Sequence, residues 1–293
     1  MRIAGVPGVG LWTRQLDAHH GVDAEQVAVQ LEALGYGVLW IPEAVHREAL
    51  THATALLAAT SRLVVATGVA RVQSRSPQAT ALAQRFLAER FPGRFLLGLG
   101  VSHAVVVEKA LGQQFERPVA TMRQYLDAMD ATRGGSPAGT MPRVLAALGP
   151  RMLQLAAERA AGAHTYLAPT AHTAWAREVL GPDAFLAPAL KVVLDDQADP
   201  IAVARTSLAG PLRLPSYAQN LARFGLGDLD GGVSDRVVDA LVAIGDVGVV
   251  VRRVRDHLDA GADHVCIELL TGDDHAVPIE GWRRLAPALG AVA

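Results

Sequence analysis

The sequence predicts an α/β fold of the (β/α)8 barrel class, a TIM barrel formed by a single domain of residues 1–293. Short apolar runs bounded by Gly, Asp or Pro alternate with longer Ala- and Leu-rich segments that have helical spacing. The apolar runs lack polar alternation, which is typical of parallel strands covered by helices on both faces. Since eight such runs occur in a chain that is 51% hydrophobic, a closed barrel is favoured over an open doubly wound sheet.

Each strand is predicted from an apolar run and each helix from a periodic segment. The predicted strands are Arg2–Val6 or Gly8–Trp12, then Gly37–Ile41, Leu63–Val69, Phe95–Leu99, Arg143–Ala147, Ala163–Leu167, Leu186–Val193 and His264–Leu269. The predicted helices are Ala24–Leu34, Thr51–Ala59, Pro77–Glu89, Pro118–Ala131, Arg151–Ala161, Thr173–Leu180 and Val247–Ala260. Asp23 and Asp246 are placed to cap two of these helices, and Gly35 and Gly261 follow two helix ends.

One segment departs from this alternation. From Ala198 to Ile244 the sequence predicts helices without a strand, so an extended helical insertion, 198–244, separates the last two barrel strands. We expect this excursion to form a lid or a subunit contact. The stretch Arg133–Pro142 is linker-like, with the sequence RGGSPAGTMP, but it is too short to predict a second domain.

Composition excludes several classes of protein. The net charge is −2, and the basic residues are scattered, so we expect no nucleic-acid partner and no anionic membrane surface. No apolar stretch approaches the roughly 18 residues that span a bilayer, and the N-terminal apolar segment is too short for a convincing signal peptide. The single cysteine, Cys266, excludes an internal disulfide and a multi-cysteine metal site. We therefore expect a cytoplasmic protein in which Cys266 is a small core residue.

The functional face of a parallel barrel lies at the carboxyl ends of its strands, so the residues that follow each run are the candidates for chemistry. Glu43 follows the second strand in LWIPEAVHRE, where a carboxylate could contact a ligand or act as an acid or base. A solvated or ion-paired loop acid is the alternative. For His46 a surface position is favoured over a catalytic one.

The third strand ends in TGVARVQSRSP. Gly68, followed by Val69 and Ala70, indicates a bulge or a close approach of the backbone to a flat ligand, with an ordinary bend as the alternative. Arg71 and Arg75 could bind an anion, although exposed arginines usually have no specific partner.

The fourth strand ends in GLGVSH. Gly98 and Gly100 permit a close approach or unusual backbone dihedrals. Ser102 and His103 would then lie on the loop that lines the barrel mouth. A histidine that titrates near neutral pH is a natural proton donor or acceptor there.

The fifth strand ends in LAALGPRM. Gly149 precedes Pro150 at the first helical position, and the free amides and positive dipole end of such a helix suit a phosphate. Arg151 would add positive charge, and a plain capped helix is the alternative. The sequence offers no Ser-His-Asp spacing, no His-x-x-x-His or carboxylate cluster for a metal, and no P-loop.

Taken together, five segments occur in an order that resembles the bacterial-luciferase-like superfamily. They are LGYGVLWIPE, VVATGVARVQSRSP, PGRFLLGLGVSH, LAALGPRMLQLAAERAAGAH and VRDHLDAGADHVCIELL. The resemblance covers the chain from Ile3 to about Leu270 and looks closest to the deazaflavin-dependent oxidoreductase branch, whose usual cofactor is coenzyme F420. It implies the same barrel fold.

The resemblance also implies roles for individual residues. It places a non-prolyl cis peptide at Gly68–Val69 or Thr67–Gly68, against the deazaflavin ring. It implies that Gly149, Pro150, Arg151 and Met152 bind the cofactor phosphate. It also implies that Gly100, Val101 and Ser102 line the cofactor pocket. Glu43 matches the acidic position after the second strand, but Ala44 stands where some relatives have a histidine. His103 stands where those relatives have a glutamate, so we expect His103 to carry proton transfer.

The resemblance implies an F420-dependent oxidoreductase that moves a hydride between the deazaflavin and a small organic substrate. Two alternatives remain. One is an FMN-dependent luciferase-like monooxygenase, since no residue excludes FMN, and the other is a non-catalytic flavin-binding barrel. A homodimer is expected by analogy with the family.

Overall fold

The structure is a computed structural model that describes residues 3, 5–18, 23–44, 46–132, 141–229, 231–273 and 276–292. The strands within this part of the chain are β1 (Val9–Trp12), β2 (Val38–Ile41), β3 (Val64–Thr67), β4 (Ala70–Arg71), β5 (Phe95–Gly100), β6 (Arg143–Ala146), β7 (Gly162–Thr165), β8 (Phe185–Leu194), β9 (Val242–Gly245) and β10 (Val265–Leu270). The predicted linker 133–142 falls largely outside the described residues.

The helices surround these strands. They are α1 (Gln15–Ala18), α2 (Ala24–Ala33), α3 (Ala49–Ala59), α4 (Pro77–Arg90), α5 (Ala104–Lys109), α6 (Pro118–Asp130), α7 (Pro150–Arg159), α8 (Thr170–Leu180), α9 (Pro200–Ala209), α10 (Pro215–Ala222), α11 (Asp235–Leu241), α12 (Val247–Asp259) and α13 (Ile279–Gly290). Short 3₁₀ helices span Val72–Ser74 and Pro211–Arg213. Side chains cap several helix starts as the sequence predicts; Asp23 accepts from Gln26 N and Asp246 from Val249 N, each at 2.8 Å.

All of the strand pairs are parallel, and they close a barrel. The hydrogen-bonded order runs β10, β1, β2, β3, β5, β6, β7, β8, and the additional β10–β8 pairing completes the circle. β4 pairs with β5 as a continuation of β3. The protein is therefore a (β/α)8 TIM barrel, as predicted.

Side chains alternate between two cores, as the period of a strand requires. The outward-facing residues pack against the helices in one large cluster, which includes Leu11, Leu39 and Ile267. The inward-facing residues fill the barrel with Trp40, Val144, Phe185 and other apolar side chains. A third cluster joins the helices of the excursion to the carboxyl ends of β8 and β10, through Val193 and Leu270.

The structure selects one of the two ranges predicted for the first strand and differs from the sequence prediction in two other places. The first strand is Val9–Trp12, within the second of the two predicted ranges. The third strand is interrupted after Thr67 and resumes at Ala70. The excursion is not free of strands, because β9 (Val242–Gly245) pairs with the end of β8 in the register Lys191 to Val242.

Candidate functional site

The interruption of the third strand lies at the mouth of the barrel. The peptide bond Gly68–Val69 is cis, at the first of the two predicted positions. Gly68 N donates to Ile41 O at 2.7 Å, and the indole Nε1 of Trp12 donates to Gly68 O at 2.9 Å. β1 and β2 therefore both fix the bulge.

The glycines of β5 make room for this bulge. A Cβ at Gly98 would overlap the Thr67 carbonyl oxygen, and a Cβ at Gly100 would lie 2.5 Å from Val69 Cγ2. Neither glycine has a positive φ. Of the two alternatives predicted for these glycines, the structure shows the close approach, and the approaching group is the neighbouring strand. The reason for two glycines is the packing of β3 and β4 against β5.

Glu43 is held by the same bulge. Its Oε2 accepts from Arg71 N at 2.7 Å, and its Oε1 pairs with the Arg75 guanidinium. Arg75 also contacts Glu48, at 2.6 Å. Since the Glu43 side chain is only 4% exposed and both oxygens have partners, the observed contacts tie β2 to the segment after β4. The acid–base role of Glu43 stays a prediction.

His103 lies at the other side of the mouth, directly before α5. It follows Ser102, which has a φ of 58°, a left-handed conformation that is uncommon outside glycine. The His103 ring lies 5.2 Å from the Tyr217 ring of α10, and its Nδ1 is 3.2 Å from Ser216 Oγ. Burial lowers the pKa of His103. A contact between the β5 loop and the helical excursion therefore closes this side of the mouth.

Two further residues predicted to line the site, Ala70 and Val101, pack against the outer core. Ala70 is fully buried in the outer core. Val101 packs partly against that core, and its carbonyl oxygen accepts from Gln73 Nε2 at 2.8 Å.

The start of α7 is open and positively charged. Gly149 precedes Pro150 at the first helical position, and Gly149 O accepts from the amides of Met152 and Leu153. A Cβ at Gly149 would meet only the two Arg223 guanidinium nitrogens, both 3.8 Å away. Arg151 and Arg223 are both exposed. Arg223 is not predicted from the sequence because it belongs to the excursion, far from α7 along the chain.

A polar cluster inside the barrel was also missed. Lys191 of β8 and Glu268 of β10 are register partners, and Lys191 Nζ lies 2.9 Å from Glu268 Oε2. The Tyr166 hydroxyl, just after β7, donates to the same oxygen at 2.9 Å. Burial and the Glu268 carboxylate raise the pKa of Tyr166. The available signal was a charged residue within an apolar strand run, in APALKVVL and again in VCIELL.

A row of aromatic rings crosses the mouth. Trp12 and Tyr166 have ring centroids 5.4 Å apart, and Tyr166 and Tyr217 are 6.1 Å apart. The row ends at His103. It therefore connects the cis bulge, through Trp12, to the loop after β5.

Other features lie away from this mouth. A groove of about 740 Å³ opens at the amino-terminal end of β6, lined by residues of α4, α6 and α7. Among the described residues, no group of three or more His, Cys, Asp or Glu side chains is arranged to hold a metal ion. No described helix combines the length and the apolar character needed to cross a bilayer.

Comparisons with known proteins identify relatives of the chain. The family model described as luciferase-like monooxygenase matches residues 11–181. A Mycobacterium tuberculosis protein provisionally named a coenzyme F420-dependent oxidoreductase is 36% identical over 119 residues, which are 41% of this chain and 33% of that protein. The 5,10-methylenetetrahydromethanopterin reductase of Archaeoglobus fulgidus is 29% identical over 146 residues, 43% of this chain and 44% of that enzyme. Each match therefore spans less than half of the curated relative.

Solved structures share the fold across the whole chain. An F420-dependent secondary alcohol dehydrogenase in complex with an F420–acetone adduct superposes with a TM-score of 0.75 at 16% identity, covering 98% of this chain and 99% of that one. The F420-dependent tetrahydromethanopterin reductase of Methanopyrus kandleri gives 0.69 at 15% identity, with coverages of 96% and 97%. The oxygenating constituent of 3,6-diketocamphane monooxygenase from Pseudomonas putida, in complex with FMN, gives 0.66 at 14% identity, covering 96% of each chain.

Proposed function

Because this chain belongs to the luciferase-like monooxygenase family, we propose that it is an oxidoreductase that uses coenzyme F420 to exchange a hydride with a small organic substrate. The observation that carries the proposal is the break between β3 and β4 at the mouth of the barrel, where Trp12 Nε1 donates to Gly68 O. The names of the F420-dependent relatives support the same cofactor.

The residues of the mouth fit a planar ring with an anionic tail. The bulge and the Trp12 indole offer a flat wall, and the space beside Gly149 leads to the N-terminus of α7, flanked by Arg151 and Arg223. A helix N-terminus with guanidinium groups beside it is a favourable phosphate site. The proposed cofactor contacts are Gly68, Val69, Gly100, Val101, Ser102, Gly149, Pro150, Arg151, Met152 and the additional Arg223, whereas Ala70 supports the bulge from the outer core.

Bound there, the deazaflavin would supply two-electron hydride chemistry. The chain's own residues would hold the ring, exclude water and manage one proton. We assign the proton to His103, whose lowered pKa leaves its imidazole neutral at pH 7 and able to accept. Replacing His103 by Ala should reduce turnover while the Kd for F420 changes little, and unchanged turnover would remove His103 from the mechanism.

Cofactor titration tests the proposal directly. We expect F420 fluorescence polarisation to rise with a low-micromolar Kd, while FMN binds much more weakly. Arg223→Ala should weaken F420 binding about tenfold, which corresponds to about 1.4 kcal/mol for a lost phosphate contact. Arg213→Ala, an exposed arginine of the same excursion, is the matched control and should have no effect. Tighter binding of FMN than of F420 would overturn the assignment.

FMN-dependent monooxygenation is the second candidate, favoured by the FMN complex among the structural neighbours. The same helix start would hold the FMN phosphate. The reversed order of affinities in the titration would support this function.

We also propose that the protein is a cytoplasmic homodimer and that the helical excursion acts as a lid over the mouth. The contact of His103 with Ser216 and Tyr217 supports the lid. Leu82 and Phe86 lie one turn apart on α4 and are 46% and 55% exposed, which supports an apolar subunit contact. Light scattering should report a dimer in the wild type and a monomer in Leu82→Glu/Phe86→Glu.

A further inference from the structure

The Lys191–Glu268 pair lies among apolar side chains in the barrel interior. Each side chain is only 4% exposed, and the other inward-facing positions of β8, Phe185, Ala187 and Ala189, are apolar. Transfer of two charges out of water costs several kcal/mol per ion, and their attraction often does no more than offset this cost. A buried ion pair at this position is therefore a poor device for stability alone.

The cluster has hydrogen-bonding capacity that is not used within the described residues. Glu268 Oε2 receives both Lys191 Nζ and the Tyr166 hydroxyl. An ammonium has three N–H groups, a carboxylate has two oxygens, and a phenol that donates can still accept. This leaves two donors on Lys191, the Oε1 acceptor of Glu268 and one lone pair on Tyr166.

The cluster lies one aromatic ring away from the cis bulge. Tyr166 contacts Trp12, with a centroid distance of 5.4 Å, and the Trp12 indole donates to Gly68 O. Lys191 Nζ lies 5.2 Å from the centre of the Tyr166 ring. A small molecule at the mouth beside Trp12 and Tyr166 would thus meet the polar groups of the cluster on one side and the proposed deazaflavin ring on the other.

We propose that Tyr166, Lys191 and Glu268 form a hydrogen-bonding subsite for the oxygen of an uncharged alcohol, or of the corresponding aldehyde or ketone. A carbonyl oxygen would accept from Lys191, and a hydroxyl would also donate to Glu268 or to Tyr166. Because the charges of Lys191 and Glu268 cancel, a charged substrate would gain no net Coulombic attraction from the pair. This inference rests on the proposed function, since it places the substrate oxygen beside the deazaflavin.

Ligand-observed NMR tests the subsite without relying on turnover. Cyclohexanol, cyclohexanone and cyclohexanecarboxylate are added to the protein with and without F420, and saturation transfer reports binding. We expect the alcohol and the ketone to bind and the carboxylate not to bind. Tyr166→Phe, which keeps the ring and removes the hydroxyl, should weaken binding about tenfold. Tyr36→Phe is the matched control, because it removes another buried tyrosine hydroxyl, bonded to Trp282 O at 2.7 Å and remote from the mouth.

A second variant removes the two charges together. Lys191→Met/Glu268→Gln avoids an unpaired buried charge, so it is expected to fold, and it should also lose alcohol and ketone binding. Three results would overturn the subsite. They are equal binding of the alcohol and ketone in the wild type and in both variants, preferential binding of the carboxylate, and no binding of either neutral compound. F420 affinity separates the two proposals. If F420 binds normally and the neutral compounds bind independently of Tyr166, only the subsite is overturned. If the neutral compounds bind in a way that depends on Tyr166 and F420 does not bind, only the proposed function is overturned.

Discussion

At the scale of single residues, the floor of the barrel depends on a neutral histidine. Trp40 Nε1 donates to His264 Nε2 at 3.0 Å, and an indole N–H is only a donor. His264 Nε2 must therefore lack a proton, and Nδ1 carries the hydrogen that faces Pro7 O. Burial lowers the pKa of His264 to about 4, which favours the same neutral form.

Trp40→Phe should destabilise the protein by roughly 2 to 4 kcal/mol, because it leaves His264 Nε2 unpaired and opens a small cavity. Urea unfolding at pH 7 measures the change. Trp175→Phe on α8 is the control, since that indole is only partly buried and makes no hydrogen bond among the described residues; we expect less than about 1 kcal/mol there. Equal losses in the two variants would contradict the role assigned to the Trp40–His264 bond.

A second residue-scale prediction concerns Glu43. Glu43→Gln should lower the free energy of unfolding by roughly 1 to 3 kcal/mol and weaken F420 binding, because the buried pair with Arg75 fixes the bulge. Glu158→Gln removes an exposed pair with Arg123 and should cost less than about 1 kcal/mol. Unchanged stability together with a lost limb of the pH–rate profile would instead support the acid–base role.

At the scale of elements, β5 carries glycines because its neighbour bulges toward it. Gly98→Ala should prevent folding or cost more than about 3 kcal/mol, since the new methyl group would overlap the Thr67 carbonyl in a packed sheet. Gly210→Ala is the control, because nothing lies within 4 Å of its Cβ position and its φ is −70°. Thermal unfolding of both variants checks this, and a Gly98→Ala melting temperature equal to that of the wild type would contradict it.

The same elements explain what the sequence could predict. All eight barrel strands overlap predicted apolar runs bounded by turn residues, and the cis position was predicted from the family resemblance. β9 was missed because VAIG directly continues the apolar pattern of α11, so periodicity alone extends the helix. Its strand conformation depends on pairing with β8, which is a tertiary effect.

The candidate site was less predictable than the fold. Glu43, His103 and Gly149 each follow a strand end, so the barrel rule was sufficient to select them. Lys191 and Glu268 lie within strands, and the parallel register brings them together only when the barrel closes. Arg223 reaches α7 only because the excursion folds back over the mouth.

At the scale of the whole molecule, buried histidines set the response to acid. Burial lowers the pKa to about 4 for each of four side chains: His52, His164, His257 and His264. In the unfolded chain a histidine has a pKa of about 6.5, so the unfolded state binds more protons as the pH falls. The stabilisation is therefore fully present above pH 6.5 and is lost progressively toward pH 4.

We expect the free energy of unfolding to fall by at least about 3 kcal/mol between pH 6.5 and pH 5, a window above the range in which most carboxylates titrate. Urea titrations at stepped pH measure this slope. A flat profile across this window would contradict the assignment of neutral buried histidines.

The length of β8 has a consequence for the integrity of the chain. This ten-residue strand pairs with β7 and then β9 along one edge, while β10 pairs with the other edge. A protease that cuts at Gly227, between α10 and α11, would leave β8 on one fragment and both β9 and β10 on the other. The nicked protein should therefore elute as a single particle in native buffer and separate into two fragments only in denaturant.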